Sequence, residues 1–142
     1  MQNGYTLKQV TWADAEDKLR FLREQIFIKE QHVPEDLEWD GRDNDCIHII
    51  VEDNQHKPVA TARMLDNGHI GRMGVLREHR HQGIATAIMN YLTDLCAQHR
   101  WQARLSAQTH ALGFYQQFGF VVSSEEYMDA NIPHKDMIME NT

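Results

Sequence analysis

The stretch from Ile70 to Leu95, IGRMGVLREHRHQGIATAIMNYLTDL, constrains this chain more than any other. An apolar strand, Ile70 to Leu76, runs into a polar, cationic bend, Arg77 to Gln82, and the chain restarts at Gly83 as a helix. Ile84, Ile88, Tyr91, Leu92 and Leu95 recur at helical spacing, so that helix has one apolar face. The bend therefore sits at a helix N-terminus, where unpaired backbone N–H groups and the positive end of the helix dipole face outward. Gly83 and Ala85 leave room for a ligand to lie against the backbone. Arg80 and the amides of His81, Gln82, Gly83, Ile84 and Ala85 are the groups expected to hold a phosphate there. An ordinary solvated strand–turn–helix connection is the alternative at this level, since short motifs give false matches. Two other phosphate loops are excluded. There is no G-x-x-x-x-G-K-[ST], and Gly71 and Gly74 have no third glycine until Gly83.

The rest of the chain supplies a frame for this unit. Tyr5 to Val10 reads as a short strand. Thr11 with Asp14 resembles a helix-capping pair, and Ala15, Leu19, Leu22 and Ile26 continue as an amphipathic helix to about Glu30. Phe27-Ile28 is more apolar than a surface helix needs and is expected to be covered by another element or by ligand. Cys46 to Val51 and Val59 to Leu65 read as strands, and Asn67-Gly68 signals a hairpin into the strand at Ile70. After the central helix, which ends near His99, Ala103 to Ala107 is a strand and Gln108 to Phe118 a helix closed by Gly119. Phe120 to Val122 and Asp136 to Met139 are final strands joined by a loop containing Ile132-Pro133-His134. The order β, α, three β, α, β, α, β, β predicts a mixed α/β sheet with helices packed on it.

Composition bounds the function. A length of 142 residues suits one domain with one sizeable core, and a net charge of −7 argues against general nucleic-acid binding. The polar start MQNGYTLKQV is not a signal peptide, and no apolar run approaches the ~18 residues of a membrane span. Cys46 and Cys96 read as buried or idle thiols in a reducing compartment, so a cytoplasmic location is expected.

From Glu30 to Asp45 the chain carries seven acidic residues. The segment HVPEDLEWDGRDND within it reads as a loop, solvated by virtue of its charge, with Val33, Leu37 and Trp39 anchoring it to the body. Asp36, Glu38, Asp40 and Gly41 begin like a calcium loop, but the bidentate acid would fall at position 47, which is Ile. No metal site is expected. A functional alternative is an acidic rim that attracts a cationic acceptor.

Arg80-His81-Gln82-Gly83-Ile84-Ala85 matches the pattern [QR]-x-x-G-x-[GA], and Gln108-x-x-Ala111-x-x-x-Tyr115-x-x-x-Gly119-Phe120 follows it. Together these resemble the paired motifs of the GCN5-related N-acetyltransferases (GNATs), whose closing motif usually begins with Asn where this chain has Gln108. The resemblance covers essentially the whole chain. A narrower likeness, to the YjcF/ElaA-like branch, is carried by the acidic segment with His48 after it, by GRMGVLREHRHQGIA, by AQTHALGFYQQFGF and by IPHKDMIM.

The resemblance implies a GNAT-like, mostly antiparallel central sheet with helices on both faces. It implies acetyl transfer from acetyl-CoA to an amine of a small molecule or peptide, by direct attack in a ternary complex. It places the cofactor pyrophosphate on Arg80 to Ala85, the oxyanion donor on the backbone of Met73, Gly74 and Val75, a further cofactor contact on Gln108, and the acid for the departing thiolate on Tyr115. Gly74 is expected to let its strand splay or bulge. A phenol near ~10 can protonate a thiolate near ~8.5 in a dry, oriented site. The base stays open among His48, His69, His134, Glu24, Glu30 and a water chain. His79 and His81 read as phosphate-side contacts or solvated residues, not a metal pair. Homodimers are common in the family. A non-catalytic CoA-binding module is the alternative function.

Overall fold

A computed structural model describes residues 1–140. Eight strands form one sheet in the order β1-β2-β3-β4-β5-β8-β6, with β7 paired to β8. They are β1 Thr6–Val10, β2 Ile47–Glu52, β3 Pro58–Leu65, β4 His69–Val75, β5 Arg104–Gln108, β6 Phe120–Val122, β7 Tyr127–Asp129 and β8 Ile132–Met139. Every pairing is antiparallel except β4 with β5. Alternation along β2 shows why both faces are covered. Ile49 and Val51 enter the larger core with Ile88, Met89 and Leu92 of helix α3, Ile84–His99. Ile50, between them, enters a second core with Leu22 and Ile26. Successive strand side chains point to opposite faces, so a strand buried on both sides reads as a nearly continuous apolar run, here IHIIV with His48 its one polar member. Among the described residues no helix is long and apolar enough to cross a membrane.

Helix α1, Trp12–Arg23, starts where Thr11 accepts a hydrogen bond from the Asp14 N–H at 3.2 Å. The helix expected to run on to Glu30 instead changes form at Glu24. Residues Glu24–Glu30 are a π-helix, closed by the Gln31 N–H on the Ile26 carbonyl. The wider turn shifts Ile26, Glu30 and Gln31 around the axis from where α-helical spacing would put them.

The segment expected to be a loop contains the one-turn helix α2, Glu35–Glu38, and a 3₁₀ turn, Asp43–Asp45. The expected helix from Gln108 to Phe118 is shorter, a 3₁₀ turn at Thr109–Ala111 followed by α4, Leu112–Gln116. The loop around Ile132-Pro133-His134 is in fact the start of β8, which pairs with β7, a strand not anticipated.

Two irregularities in β4 make the opening. Thr61 pairs with Gly74 and Arg63 with Gly71, so Arg72 and Met73 stand opposite Ala62 in a bulge. The register between β4 and β5 covers only His69 with Arg104 and Ile70 with Leu105. Beyond Ile70 the two parallel strands diverge, and β4 loses β5 as a ladder partner. The expected splay is present. Gly74 has a second role beside it, because a Cβ there would lie 2.7 Å from Ile26 Cγ2, closer than carbon atoms pack.

Candidate active site

The strand, bend and helix follow one another as the sequence predicts. A 3₁₀ turn, Arg77–His79, carries β4 into the bend, and His81 and Gly83 take positive φ angles of 63° and 78°. Gly83 caps α3 without offering any side-chain hydrogen bond. The first-turn amides of α3 therefore keep their anion-binding capacity. A cavity of about 670 Å³ opens here. Met73, Gly74 and Val75 line it from β4, and Arg80, His81, Gly83, Ile84 and Ala85 from the cradle. Gln108 closes its far side. Gln82 is not on the wall. Its carbonyl instead accepts the Gln2 N–H at 2.9 Å, which turns the residue away.

Arg80 is not free. Its Nη1 lies 2.8 Å from Glu30 Oε2, its Nη2 bonds Glu30 Oε1, and its Nε donates to the Val75 carbonyl at 3.0 Å. Arg77 adds a contact to Glu30 at 3.2 Å. The Arg80 hydrogen bonds hold the Glu30 carboxyl below the usual range. Glu30 is thus an anion already seated on the cradle's cation, which disfavours it as a base.

A second cavity of about 460 Å³ lies on the other side of the splay. Tyr115 is on its wall, where burial pushes the phenol up to about 12. The phenol is therefore a weaker acid than the ~10 expected from an exposed tyrosine. Tyr115 Oη makes no hydrogen bond among the described residues, which leaves its proton available.

Among the described residues, only Gln31, Met73, Gln108 and His110 line both cavities. Gln108 Nε2 donates to Gln31 Oε1 at 3.0 Å, and Gln108 Oε1 lies 2.7 Å from His110 Nε2. An amide oxygen only accepts, so Nε2 of His110 is the donor in this contact. His110 was not among the histidines singled out from sequence. Of those, His48 and His134 are buried with ring nitrogens on the carbonyls of Asp43 and Ile132, at 2.8 and 2.7 Å. His69 lines the second cavity, and burial lowers its pKa. Glu24 lines neither cavity. His79 and His81 both line the cradle cavity, His79 with Nδ1 2.8 Å from the Tyr5 hydroxyl.

The acidic segment divides: Glu35, Asp36 and Asp45 are exposed as expected, whereas Glu38 and Asp43 turn inward. Glu38 and Asp43 are buried and face Arg23, at 2.7 and 2.5 Å. Arg63 joins Asp43 at 2.9 Å and Asp40 at 2.5 Å, and its hydrogen bonds hold the Asp40 carboxyl far below its ordinary value. Arg72 reaches Glu38 at 3.0 Å. Trp39 and Trp12 cover the Arg23 guanidinium at 5.0 and 5.7 Å. Buried charges survive only when paired, and breaking such a pair costs about 3–5 kcal/mol. Trp39 and Val33 anchor the segment as expected, whereas Leu37 is 52% exposed at the mouth of the second cavity. Of the carboxylates that resembled a calcium loop, Glu38 and Asp40 face arginine and Asp36 is exposed. Among the described residues Asp43, Cys46 and His48 do approach within 4.8 Å, but two guanidinium groups already occupy Asp43.

A splayed parallel pair, an anion cradle at a helix N-terminus and a partly buried phenol across the gap define a class of protein, one that holds a nucleotide-linked thioester beside a second substrate. Comparison with known families agrees. The model of the acetyltransferase (GNAT) domain matches residues 5–141, and the chain belongs to this family of N-acetyltransferases. It is 39% identical to the uncharacterized N-acetyltransferase YjcF of Bacillus subtilis over 125 residues, which is 84% of this chain and 89% of YjcF. The crystal structure of Escherichia coli ElaA superposes with a TM-score of 0.85 at 29% identity, covering 96% of this chain and 99% of ElaA. An acyl-CoA N-acyltransferase from Pseudomonas aeruginosa gives 0.81 at 28%, covering 96% and 98%. The likeness to the YjcF/ElaA branch and the mixed, mostly antiparallel sheet are thereby established. The chain is an acyltransferase whose family uses acyl-CoA donors and amine acceptors.

Proposed function

We propose that the donor is acetyl-CoA and that the acceptor amine attacks it directly in a ternary complex. The observation that carries this is the pair of cavities meeting at the splay, with one group of residues common to both. The pyrophosphate lies on the amides of His81 to Ala85, and the pantetheine arm follows β4 to the gap. His110 Nδ1 takes a proton from the acceptor ammonium. The amine nitrogen then attacks the thioester carbonyl carbon, and backbone N–H groups of Met73 to Val75 stabilise the oxyanion. The tetrahedral intermediate collapses with cleavage of the carbon–sulfur bond. Tyr115 gives its proton to the departing sulfur, and the surplus proton shed by the new amide nitrogen restores the phenol.

Cysteine chemistry is disfavoured because burial raises both thiol pKa values and neither Cys46 nor Cys96 lines either cavity. A module that merely binds CoA would not need a dry phenol beside a second cavity. Initial rates of CoA release over a matrix of acetyl-CoA and amine concentrations test the reading. Intersecting double-reciprocal lines are expected. Parallel lines would point to an acyl-enzyme, and absence of release with every amine class would leave only cofactor binding.

A further inference from the structure

Arg72 has more capacity to bind an anion than the protein itself uses. It occupies the bulge of β4 with a φ of 47°, a left-handed conformation that side chains other than glycine rarely hold. Bulges re-aim side chains beside functional sites, and strained backbone persists where the surroundings require it. Here the bulge turns the guanidinium into the wall of the second cavity, with 27% of the side chain exposed.

The partners of Arg72 are poor. Nε is 3.0 Å from Glu38 Oε2 but is misaligned, and it is buried without a hydrogen bond. Nη2 reaches the carbonyls of Leu37 and Glu38 only at 3.3 Å each, and Asp40 at 3.6 Å. Nη1 makes no hydrogen bond among the described residues. Glu38 is shared with Arg23, which holds it at 2.7 Å, and Asp40 and Asp43 are taken up by Arg63 and Arg23. Burial consequently lowers the Arg72 pKa, its neighbours not fully compensating the buried charge. Asp129, the remaining carboxylate on this cavity, forms no ion pair with it. Arg63 adds a second donor on the same wall, a buried Nε without a partner.

We propose that Arg72 binds a carboxylate of the acceptor, so that this enzyme acetylates an amino-acid-like amine with an apolar body. The inference rests on the second cavity being the acceptor site. A guanidinium with one unused edge matches a carboxylate in a planar, forked geometry. Phe27, Val33, Leu37, Leu65, Ile70 and Leu105 supply the apolar wall. Arg72 directly precedes Met73, which stands at the seam of the two cavities, and neighbouring Cα atoms are about 3.8 Å apart.

The test uses matched pairs, phenylalanine with phenethylamine and leucine with isoamylamine, each with acetyl-CoA and CoA release as readout. The wild type is expected to favour the carboxylated member roughly tenfold or more in kcat/KM, the scale of one charge-assisted contact. Arg72→Gln should reduce that ratio to within about threefold, and Arg72→Lys, which keeps charge without the fork, should fall between. Equal use of both members, a preference for spermidine, or a preference retained in Arg72→Gln would overturn the inference. The wild-type comparison stands even if a variant folds poorly. The inference also fails if no carboxylated member is turned over and, with CoA bound, none raises Tm more than its amine. The acetyl-CoA thermal shift, measured in the same samples, separates the failures. A shift with no carboxylate preference removes this inference alone, whereas no shift removes the acetyl-transfer reading beneath it.

Discussion

The cradle at 77–85 and the acidic segment at 35–45 are both charge-rich stretches between regular elements, yet they end in opposite states. The cradle stays open. Its amides sit at a helix N-terminus with no capping side chain, and its cation is balanced by one carboxylate on the π-helix. The acidic segment closes at Glu38, Asp40 and Asp43, because arginines 15 to 34 residues away along the chain meet those carboxylates, while Glu35, Asp36 and Asp45 stay exposed. A binding loop depends on backbone geometry that neighbours along the chain specify. A charge cluster has no fate of its own until the fold brings its partners.

The comparison breaks if the acidic segment behaves as a surface. Glu38→Ala leaves Arg23 buried without its best partner, and the expected cost is about 3–5 kcal/mol, lowering Tm by about 10 °C. Asp36→Ala, on an exposed residue of the same turn, should leave Tm within about 1 °C. Equal melting of the two variants by calorimetry would return the segment to solvent. On the catalytic side, Tyr115→Phe should lower kcat about 100-fold while the acetyl-CoA-induced rise in Tm stays unchanged. Full activity in that variant would leave the thiolate without its acid.

How much of this is legible before folding follows the same division. The strand, bend and helix from Ile70 to His99 are local, and periodicity with one glycine specifies them. The network was missed, although a signal existed. Arg23 follows Leu22 on the apolar side of α1, and Arg63 sits inside the apolar strand VATARML, positions where a charge demands a buried partner. The π-helix was missed because apolar spacings of three and four do not reveal where the turn widens. Pro133 hid the start of β8, since proline in a strand argues for an edge or a loop. His110 lies at no motif position. Only the end of β5, which brings Gln108 beside Gln31, gives it a role.

Acid should expose the network and its surroundings in two steps. Burial lowers His48 and His69 below their ordinary 6.5, so the native state binds fewer protons than the unfolded chain just under that value. Their contribution is complete above pH ~6.5 and is lost as the pH falls toward their folded values. Asp40, lowered from 3.8 by Arg63, repeats the loss below about pH 4. Calorimetry across pH 3 to 8 should show both slopes, and His69→Gln should flatten part of the first. A flat profile between pH 5 and 6.5 would mean that these imidazoles are not held neutral.

The smallest effect sharpens the comparison most, because it asks whether the cradle is as open as it looks. Pyrophosphate needs Arg80, and Glu30 already holds both ends of its guanidinium. The cofactor must either displace that carboxylate or bind beside it, and both routes oppose a strongly anionic ligand. Glu30 and Arg80 are 24% and 35% exposed, so solvent tempers the pair and the gain from removing it is limited to about 1 kcal/mol. Glu30→Gln should therefore tighten CoA roughly three- to fivefold, with a shallower loss of affinity at high salt in the wild type than in the variant. Titration calorimetry at two ionic strengths measures both. Weaker binding in Glu30→Gln would reverse the assignment. Glu30 would then be the strut that points Arg80 at the phosphate, and the cradle, like the acidic segment, would owe its geometry to a partner far away in the chain.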